Sequence, residues 1–112
     1  MRRIEAIIRT GKVSDVSAAL NKVGYSGLMI SEIEGHGKQK GLEEEVRGKT
    51  YKVDLLTKAR VEIIVKDDDV ENIVKAISET ARTGKIGDGK IFIHPVYDAI
   101  RIRTGERGNE AL

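Results

Sequence analysis

Apolar and polar residues alternate in two segments of the chain that lie 57 positions apart. Residues 3–9 read Arg-Ile-Glu-Ala-Ile-Ile-Arg, and residues 60–66 read Arg-Val-Glu-Ile-Ile-Val-Lys. A period of two places successive side chains on opposite faces of a strand, so both segments are predicted to be half-buried strands. The positions predicted to be buried are Ile4, Ala6 and Ile8 in the first strand, and Val61, Ile63 and Val65 in the second.

The repeat continues after each strand as an apolar stripe with helical spacing. The stripe positions are Val13, Val16, Ala19 and Leu20 in the first copy, and Val70, Ile73, Ala76 and Ile77 in the second. Ser14 or Asp15 is expected to begin the first helix, and residues 67–69, all Asp, the second. Gly24 and Gly84 are expected to end the two helices.

Strand patterns follow the helices at 28–34 and 90–93, and a short last strand is expected at about 98–103. Two βαβ units in tandem predict an α+β, ferredoxin-like fold with an antiparallel four-stranded sheet and both helices on one face. We expect a single domain over 1–112, with a long loop at about 36–56 and a C-terminal tail at about 104–112. The uncovered face of the sheet predicts an oligomer with cyclic symmetry.

Composition excludes several classes of function. The 112 residues include 20 Lys and Arg against 18 Asp and Glu, which argues against a strongly basic nucleic-acid surface. The absence of Cys excludes disulfides, thiol catalysis and Cys-based zinc sites. No Ser/His/Asp set or distinctive carboxylate pair stands out, so an enzyme is not expected.

The segment 83–92, Thr-Gly-Lys-Ile-Gly-Asp-Gly-Lys-Ile-Phe, is the richest in candidate chemistry. It has the glycine and lysine spacing of a nucleotide-binding P-loop. However, Ile91 replaces the required Ser or Thr, and the order is helix–loop–strand, so we reject that interpretation. Three glycines can still turn backbone N–H groups toward an anion, and two lysines add positive charge. The alternative is an ordinary flexible turn.

Other charged residues have a simple structural interpretation beside a functional one. Arg101 and Arg103 alternate on the expected last strand, so both side chains would leave the same face. They could bind a phosphate in a bidentate manner, or they could simply lie on a solvent-exposed edge strand. His36 and His94 are interpreted as structural or exposed. The Asp run at 67–69 suits helix capping better than a metal site, and the Glu run at 43–45 suits a solvated loop.

Three segments closely resemble the PII nitrogen-regulatory signal-transduction proteins of the GlnB/GlnK type. They are 83–92, the run Asp-Ala-Ile-Arg-Ile-Arg-Thr-Gly-Glu at 98–106, and Gly-Lys-Gln-Lys-Gly at 37–41. The long loop departs from the family signature Tyr-Arg-Gly-Ala/Ser-Glu-Tyr, because residues 46–51 read Val-Arg-Gly-Lys-Thr-Tyr.

The resemblance implies a homotrimeric, non-enzymatic sensor of nitrogen and energy status that binds ATP or ADP in clefts between subunits. Lys38 and the segment from Gly87 to Lys90 would hold the phosphates, with Arg101 and Arg103 reaching across the cleft. Met29, Glu62 and Ile64 would lie at the adenine end. The nucleotide-binding residues implied in this way are Met29, Lys38, Glu62, Ile64, Gly87, Asp88, Gly89, Lys90, Arg101 and Arg103.

The resemblance also implies that 2-oxoglutarate binds beside Mg²⁺-ATP. Gln39 would ligate the Mg²⁺ and Lys58 would pair with a carboxylate of 2-oxoglutarate. The long loop, with Arg47 near its tip, would dock on an ammonium channel and on other proteins of nitrogen metabolism. The protein would be cytoplasmic and recruited to the membrane by that channel, with no nucleic-acid partner. Tyr51 stands at the position that the family uridylylates, and its changed neighbours argue against modification.

A different class of protein shares the expected fold. A ferredoxin-like metal-binding or structural trimer, similar to the CutA proteins, would not bind nucleotide. The presence of only two histidines and no cysteine counts against this alternative.

Overall fold

A computed structural model gives the backbone of residues 1–36, 43–46, 49–52 and 55–112, and the side chains of residues 1–33 and 57–112. Six strands and two α-helices occur in this part of the chain. They are β1 (Arg2–Arg9), α1 (Val13–Lys22), β2 (Met29–His36), β3 (Glu43–Val46), β4 (Lys49–Lys52), β5 (Leu55–Val65), α2 (Val70–Ala81) and β6 (Lys90–Pro95).

Four of the strands form one antiparallel sheet in the order β2-β5-β1-β6. This is the predicted ferredoxin-like arrangement, with the two central strands contributed by the two halves of the repeat. The repeat is visible in the elements: α1 begins at Val13 and α2 at Val70, 57 residues later. A short 3₁₀ turn precedes each helix, at Thr10–Lys12 and Asp67–Asp69, again 57 residues apart.

The core lies between the sheet and the two helices. The six strand positions predicted to be buried are all 2% exposed or less, because they face the helices. From the helices, Val16 and Leu20 of α1 pack against Ile73 and Ile77 of α2 and against the sheet. Burying an Ile or Leu side chain contributes about 1.5–3 kcal/mol, so this layer supplies most of the stabilisation of the subunit.

The helix ends differ in part from the prediction. Gly24 ends α1 as expected, with a φ of 96°, and the N–H of Tyr25 donates to the carbonyl of Leu20. Gly84 does not end α2, because the helix stops at Ala81 and Arg82 is already extended. Asp69 occupies the N-cap position of α2 as expected, but its side chain makes no capping hydrogen bond. The expected start of α1 at Ser14 or Asp15 was wrong, since the helix begins at Val13 with Lys12 at the N-cap position.

The long loop predicted at about 36–56 contains strands. His36 is the last residue of β2, β5 begins at Leu55, and β3 pairs with β4 as a two-stranded sheet between them. The register places Glu43 opposite Lys52, and opposite charges across an antiparallel pair favour pairing. Thr50 and Tyr51 in β4 have high strand propensity.

The predicted last strand at about 98–103 was wrong. Residues 102–104 form a turn, and the only pairing in this stretch of the described chain is an isolated bridge between Ile100 and Arg107. Gly105 has a φ of 76° and its N–H donates to the carbonyl of Arg101, which closes the turn. Alternation along a strand therefore does not orient Arg101 and Arg103.

We expect Ile73→Ala to lower the free energy of unfolding by about 2–5 kcal/mol, because it leaves a cavity between α2 and the sheet. Lys75→Ala is the matched control on the same helix, where the side chain is 73% exposed, and it should change stability by no more than about 0.5 kcal/mol. Urea unfolding at one fixed protein concentration measures both. Equal stabilities for the two variants would contradict the assigned core.

Candidate functional site

The segment between α2 and β6, residues 82–89, forms a turn that we call the glycine loop. Gly84, Gly87 and Gly89 all have positive φ, between 86° and 105°. At Gly89 a Cβ would lie 1.7 Å from the carbonyl oxygen of Ile7 in β1. The backbone of the loop therefore lies directly on the central sheet, at a distance that only glycine permits.

The carboxylate of Asp88 organises this loop from within. One of its oxygens accepts hydrogen bonds from the main-chain N–H groups of Thr83 (2.9 Å) and Gly84 (2.8 Å). The other accepts from the hydroxyl of Thr83 and from Nε of Arg9 at 3.3 Å. The loop is thus closed on itself and attached to the end of β1 by one side chain.

These contacts hold the pKa of Asp88 well below its usual range. The hydroxyl of Thr83 has the largest effect, the N–H groups of Thr83 and Gly84 and the guanidinium of Arg9 act in the same direction, and partial desolvation opposes them. Asp88 is therefore ionised in the folded protein. A carboxylate engaged in this way shapes the loop, and direct contact of Asp88 with a nucleotide stays a prediction.

Two cations lie beside the loop on neighbouring strands. Arg9 of β1 and Lys58 of β5 are opposite each other in the sheet. Arg9 donates to the carbonyl of Ile86 at 2.9 Å, and Lys58 donates to the carbonyl of Gly87. Desolvation lowers the pKa of Lys58, with a further lowering by the charge of Arg9, whereas Asp88 raises it.

Arg9 was not predicted as a site residue. In the sequence it is the last residue of an alternating strand, and that pattern says nothing about function. Only the antiparallel register of β1 and β5 brings it opposite Lys58. A negatively charged ligand at this point would meet the positive charges of Arg9 and Lys58, partly offset by the carboxylate of Asp88.

Lys90, the first residue of β6, completes this group. It is exposed and lies opposite Ile7 of β1. A cavity of about 320 Å³ opens between the end of α2 and this part of the sheet, and its lining includes Arg82, Gly89 and Lys90. The structure therefore brings together Lys58 and all four predicted residues from Gly87 to Lys90.

The residues predicted for the adenine end lie elsewhere in the chain. Met29 and Glu62 are opposite each other on β2 and β5, and Ile64 is two residues further along β5. Met29 is 55% exposed and borders, with Ile64, a cavity of about 710 Å³. Along β5, at ~3.4 Å per residue, Glu62 lies about 14 Å and Ile64 about 20 Å from Lys58.

Tyr25 forms part of the wall of the same cavity. Its hydroxyl donates to the carboxylate of Asp69. Desolvation, together with that hydrogen bond and the charge of Asp69, raises the pKa of Tyr25 to about 12. Tyr25 is therefore neutral at physiological pH and links the α1–β2 connection to the start of α2.

Arg101 and Arg103 lie in the turn near the C-terminus. Nη1 of Arg101 is 3.2 Å from the carboxylate of Glu106, whereas Arg103 is exposed. Within the described residues, no hydrogen bond or ion pair joins either arginine to the glycine loop of the same chain.

Several predicted residues lie outside the part of the chain that is described. They are Lys38, Gln39 and Arg47. Tyr51 lies in β4, where only the backbone is described. Their predicted roles stay predictions.

Comparison with known proteins identifies relatives over the whole chain. The family model described as nitrogen regulatory protein P-II matches residues 1–106. Nitrogen regulatory protein P-II 1 of Methanothermobacter thermautotrophicus is 52% identical over 112 residues, covering 100% of this chain and 97% of that protein. The P-II of Rhodospirillum rubrum is 47% identical over the full length of both chains. The crystal structure of Arabidopsis thaliana PII bound to citrate matches with a TM-score of 0.82 and 43% identity, covering 99% of this chain and 91% of that one.

The role of Asp88 in the loop predicts a specific dependence of stability on pH. Because its pKa is lowered by folding, Asp88 contributes stability above the ordinary Asp pKa of about 3.9, and this contribution is lost as the pH falls below that value. Asp88→Asn should be less stable than wild type at pH 7 and should lose less stability between pH 7 and pH 3. Urea unfolding at both pH values measures this.

Glu32→Gln is the control for this experiment, since Glu32 is exposed on β2. Its stability should follow that of the wild type at both pH values. Parallel losses in wild type and Asp88→Asn would show that the carboxylate does not hold the loop.

Proposed function

The chain belongs to the nitrogen regulatory protein P-II family, and we propose that it is a non-enzymatic sensor that binds ATP or ADP between subunits. Its relatives are named as regulatory proteins. The observation that carries the proposal is the glycine loop, with its positive-φ glycines, close cations and a backbone fixed by Asp88. Family membership sets aside the CutA-like alternative.

The chemistry of the loop fits a polyphosphate. Backbone N–H groups in a glycine-rich turn form a concave anion site. Lys90 supplies an exposed point charge, while Arg9 and Lys58 are anchored to loop carbonyls. A loop that is already ordered loses little entropy when a ligand binds.

The separation of Arg101 and Arg103 from the glycine loop supports a site made from two subunits. Within the described part of one chain, neither arginine forms a hydrogen bond or an ion pair with that loop. In a cyclic homotrimer, the loop of one subunit would meet the adenine end and the arginines of its neighbour. Tyr97 and Ile102 are fully exposed in the single chain, as expected of residues that a neighbouring subunit covers.

The effector 2-oxoglutarate would bind at the end of the sheet that carries the glycine loop. The Arabidopsis relative has been crystallised bound to citrate, an anionic small molecule. In this chain, Lys58 and Arg9 present two positive charges that suit a carboxylate of 2-oxoglutarate. Mg²⁺, held by Gln39 and the ATP phosphates, would neutralise charge and bind the 2-oxo acid. Gln39 belongs to the long loop, so effector binding and loop conformation would be coupled reciprocally.

The output would be docking of the long loop on a target. We propose an ammonium channel, with Arg47 near the loop tip as the docking residue, and other proteins of nitrogen metabolism as further targets. The protein would be cytoplasmic and reach the membrane through the channel. In the described part of the chain, no helix combines the length and the apolar character needed to cross a membrane.

We expect Lys90→Ala and Arg103→Ala each to weaken ATP binding about 10-fold or more, because a hydrogen bond to a charged group contributes ~1.5–3 kcal/mol. Lys75→Ala removes the same charge from the outer face of α2 and should leave the dissociation constant unchanged. Isothermal titration calorimetry measures the dissociation constant of ATP for all three variants. Wild-type affinity in both Lys90→Ala and Arg103→Ala would reject the assigned phosphate site.

We expect Gln39→Ala to abolish binding of 2-oxoglutarate and to spare ADP, since only the former requires Mg²⁺-ATP. Titration of 2-oxoglutarate into protein saturated with Mg²⁺-ATP measures the first, and direct titration of ADP provides the control. If the variant still binds 2-oxoglutarate with wild-type affinity, Gln39 does not ligate the metal.

A further inference from the structure

The segment 98–108, which we call the C-terminal turn, is a closed unit held by ion pairs. At its base, Arg107 donates from Nε (2.8 Å) and Nη2 (2.6 Å) to one carboxylate oxygen of Asp98. The other oxygen accepts from the N–H groups of Ala99 (2.9 Å) and Gly108 (3.0 Å). The base of the turn is therefore fixed, and it determines which residues face each other inside.

Arg101 and Glu106 face each other within this turn. The N–H of Arg101 donates to the carbonyl of Glu106 at 2.9 Å, and Nη1 of Arg101 is 3.2 Å from Oε1 of Glu106. Nη2 lies 3.4 Å from the main-chain oxygen of Leu112. Both terminal nitrogens of the guanidinium are thus occupied by oxygens of the chain itself, in the way that phosphate oxygens would occupy them.

Arg103 has a different environment. It lies two residues further on in the exposed part of the turn, and no ion pair of its side chain occurs among the described residues. The two arginines assigned to one phosphate site are therefore not equivalent before a ligand binds. Arg103 is available, whereas Arg101 must first leave Glu106.

We propose that Glu106 is an internal competitor of the nucleotide phosphates for Arg101. This inference rests on the proposed nucleotide site and adds a regulatory residue to it. Binding exchanges the Arg101–Glu106 ion pair for an ion pair between Arg101 and phosphate. The carboxylate of Glu106 is released to solvent, so the exchange sets the affinity of the site below the value that the free arginine would give.

The size of the effect follows from the exposure of the pair. The side chains of Arg101 and Glu106 are 37% and 39% exposed, and ion pairs at such positions change an equilibrium by up to about five-fold. Glu106→Gln keeps the shape of the side chain and removes its charge. We therefore expect it to tighten ATP binding about three-fold.

The test is a set of calorimetric titrations with ATP. Glu110→Gln is the matched control, because it removes the same charge from an exposed position four residues later. Its affinity should equal that of the wild type. To separate competition from a general charge effect, the Glu106→Gln change is repeated in an Arg101→Ala background, where it should have no effect.

Each outcome decides the proposal. A three-fold gain in Glu106→Gln that disappears in the Arg101→Ala background supports it. Wild-type affinity in Glu106→Gln, an equal gain in Glu110→Gln, or a gain that persists without Arg101 overturns it and leaves the proposed function intact. If wild-type protein does not bind ATP at all, the proposed function fails and the inference fails with it.

Discussion

The ionised carboxylate of Asp88 is the contact on which the shape of the candidate site depends. It joins the residues after α2, through Thr83 and Gly84, to Arg9 at the end of β1. The close approach of Gly89 to the carbonyl of Ile7 fixes the same loop from the other side. Because β1 is a central strand that packs against the core, the position of the loop is set by the core.

This arrangement divides the charged residues by role. Asp88 and Arg9 build the loop, while Lys90 is left exposed at its edge. Near the C-terminus the same division recurs, since the Asp98–Arg107 pair builds the turn and Arg103 is exposed. Arg101 belongs to both groups, because its partner Glu106 is part of the turn and its guanidinium is also suited to phosphate. A residue such as Arg101, which both holds the turn and is suited to phosphate, is a position at which a substitution can change the affinity for nucleotide.

Much of the fold was predictable because it follows from periodicity. Alternation marked the six buried strand positions, and the repeat of 57 residues marked two equivalent βα units and hence the sheet order. Features set by long-range contacts were not predictable. The register that brings Arg9 opposite Lys58, the strands β3 and β4, and the turn that replaces the expected last strand all depend on which segments meet in space. The spacing of glycines and lysines predicted the glycine loop, whereas the hydrogen bonds of Asp88 within it depend on the folded backbone.

The central claim is that the glycine loop binds a nucleotide whose presence creates the site for a second, anionic effector. The most direct measurement is calorimetric titration of 2-oxoglutarate into the wild-type protein, first alone and then after saturation with ATP and Mg²⁺. The account predicts no binding to the protein alone and saturable binding to the Mg²⁺-ATP complex. Binding of 2-oxoglutarate with the same affinity in both titrations, or in neither, would contradict it.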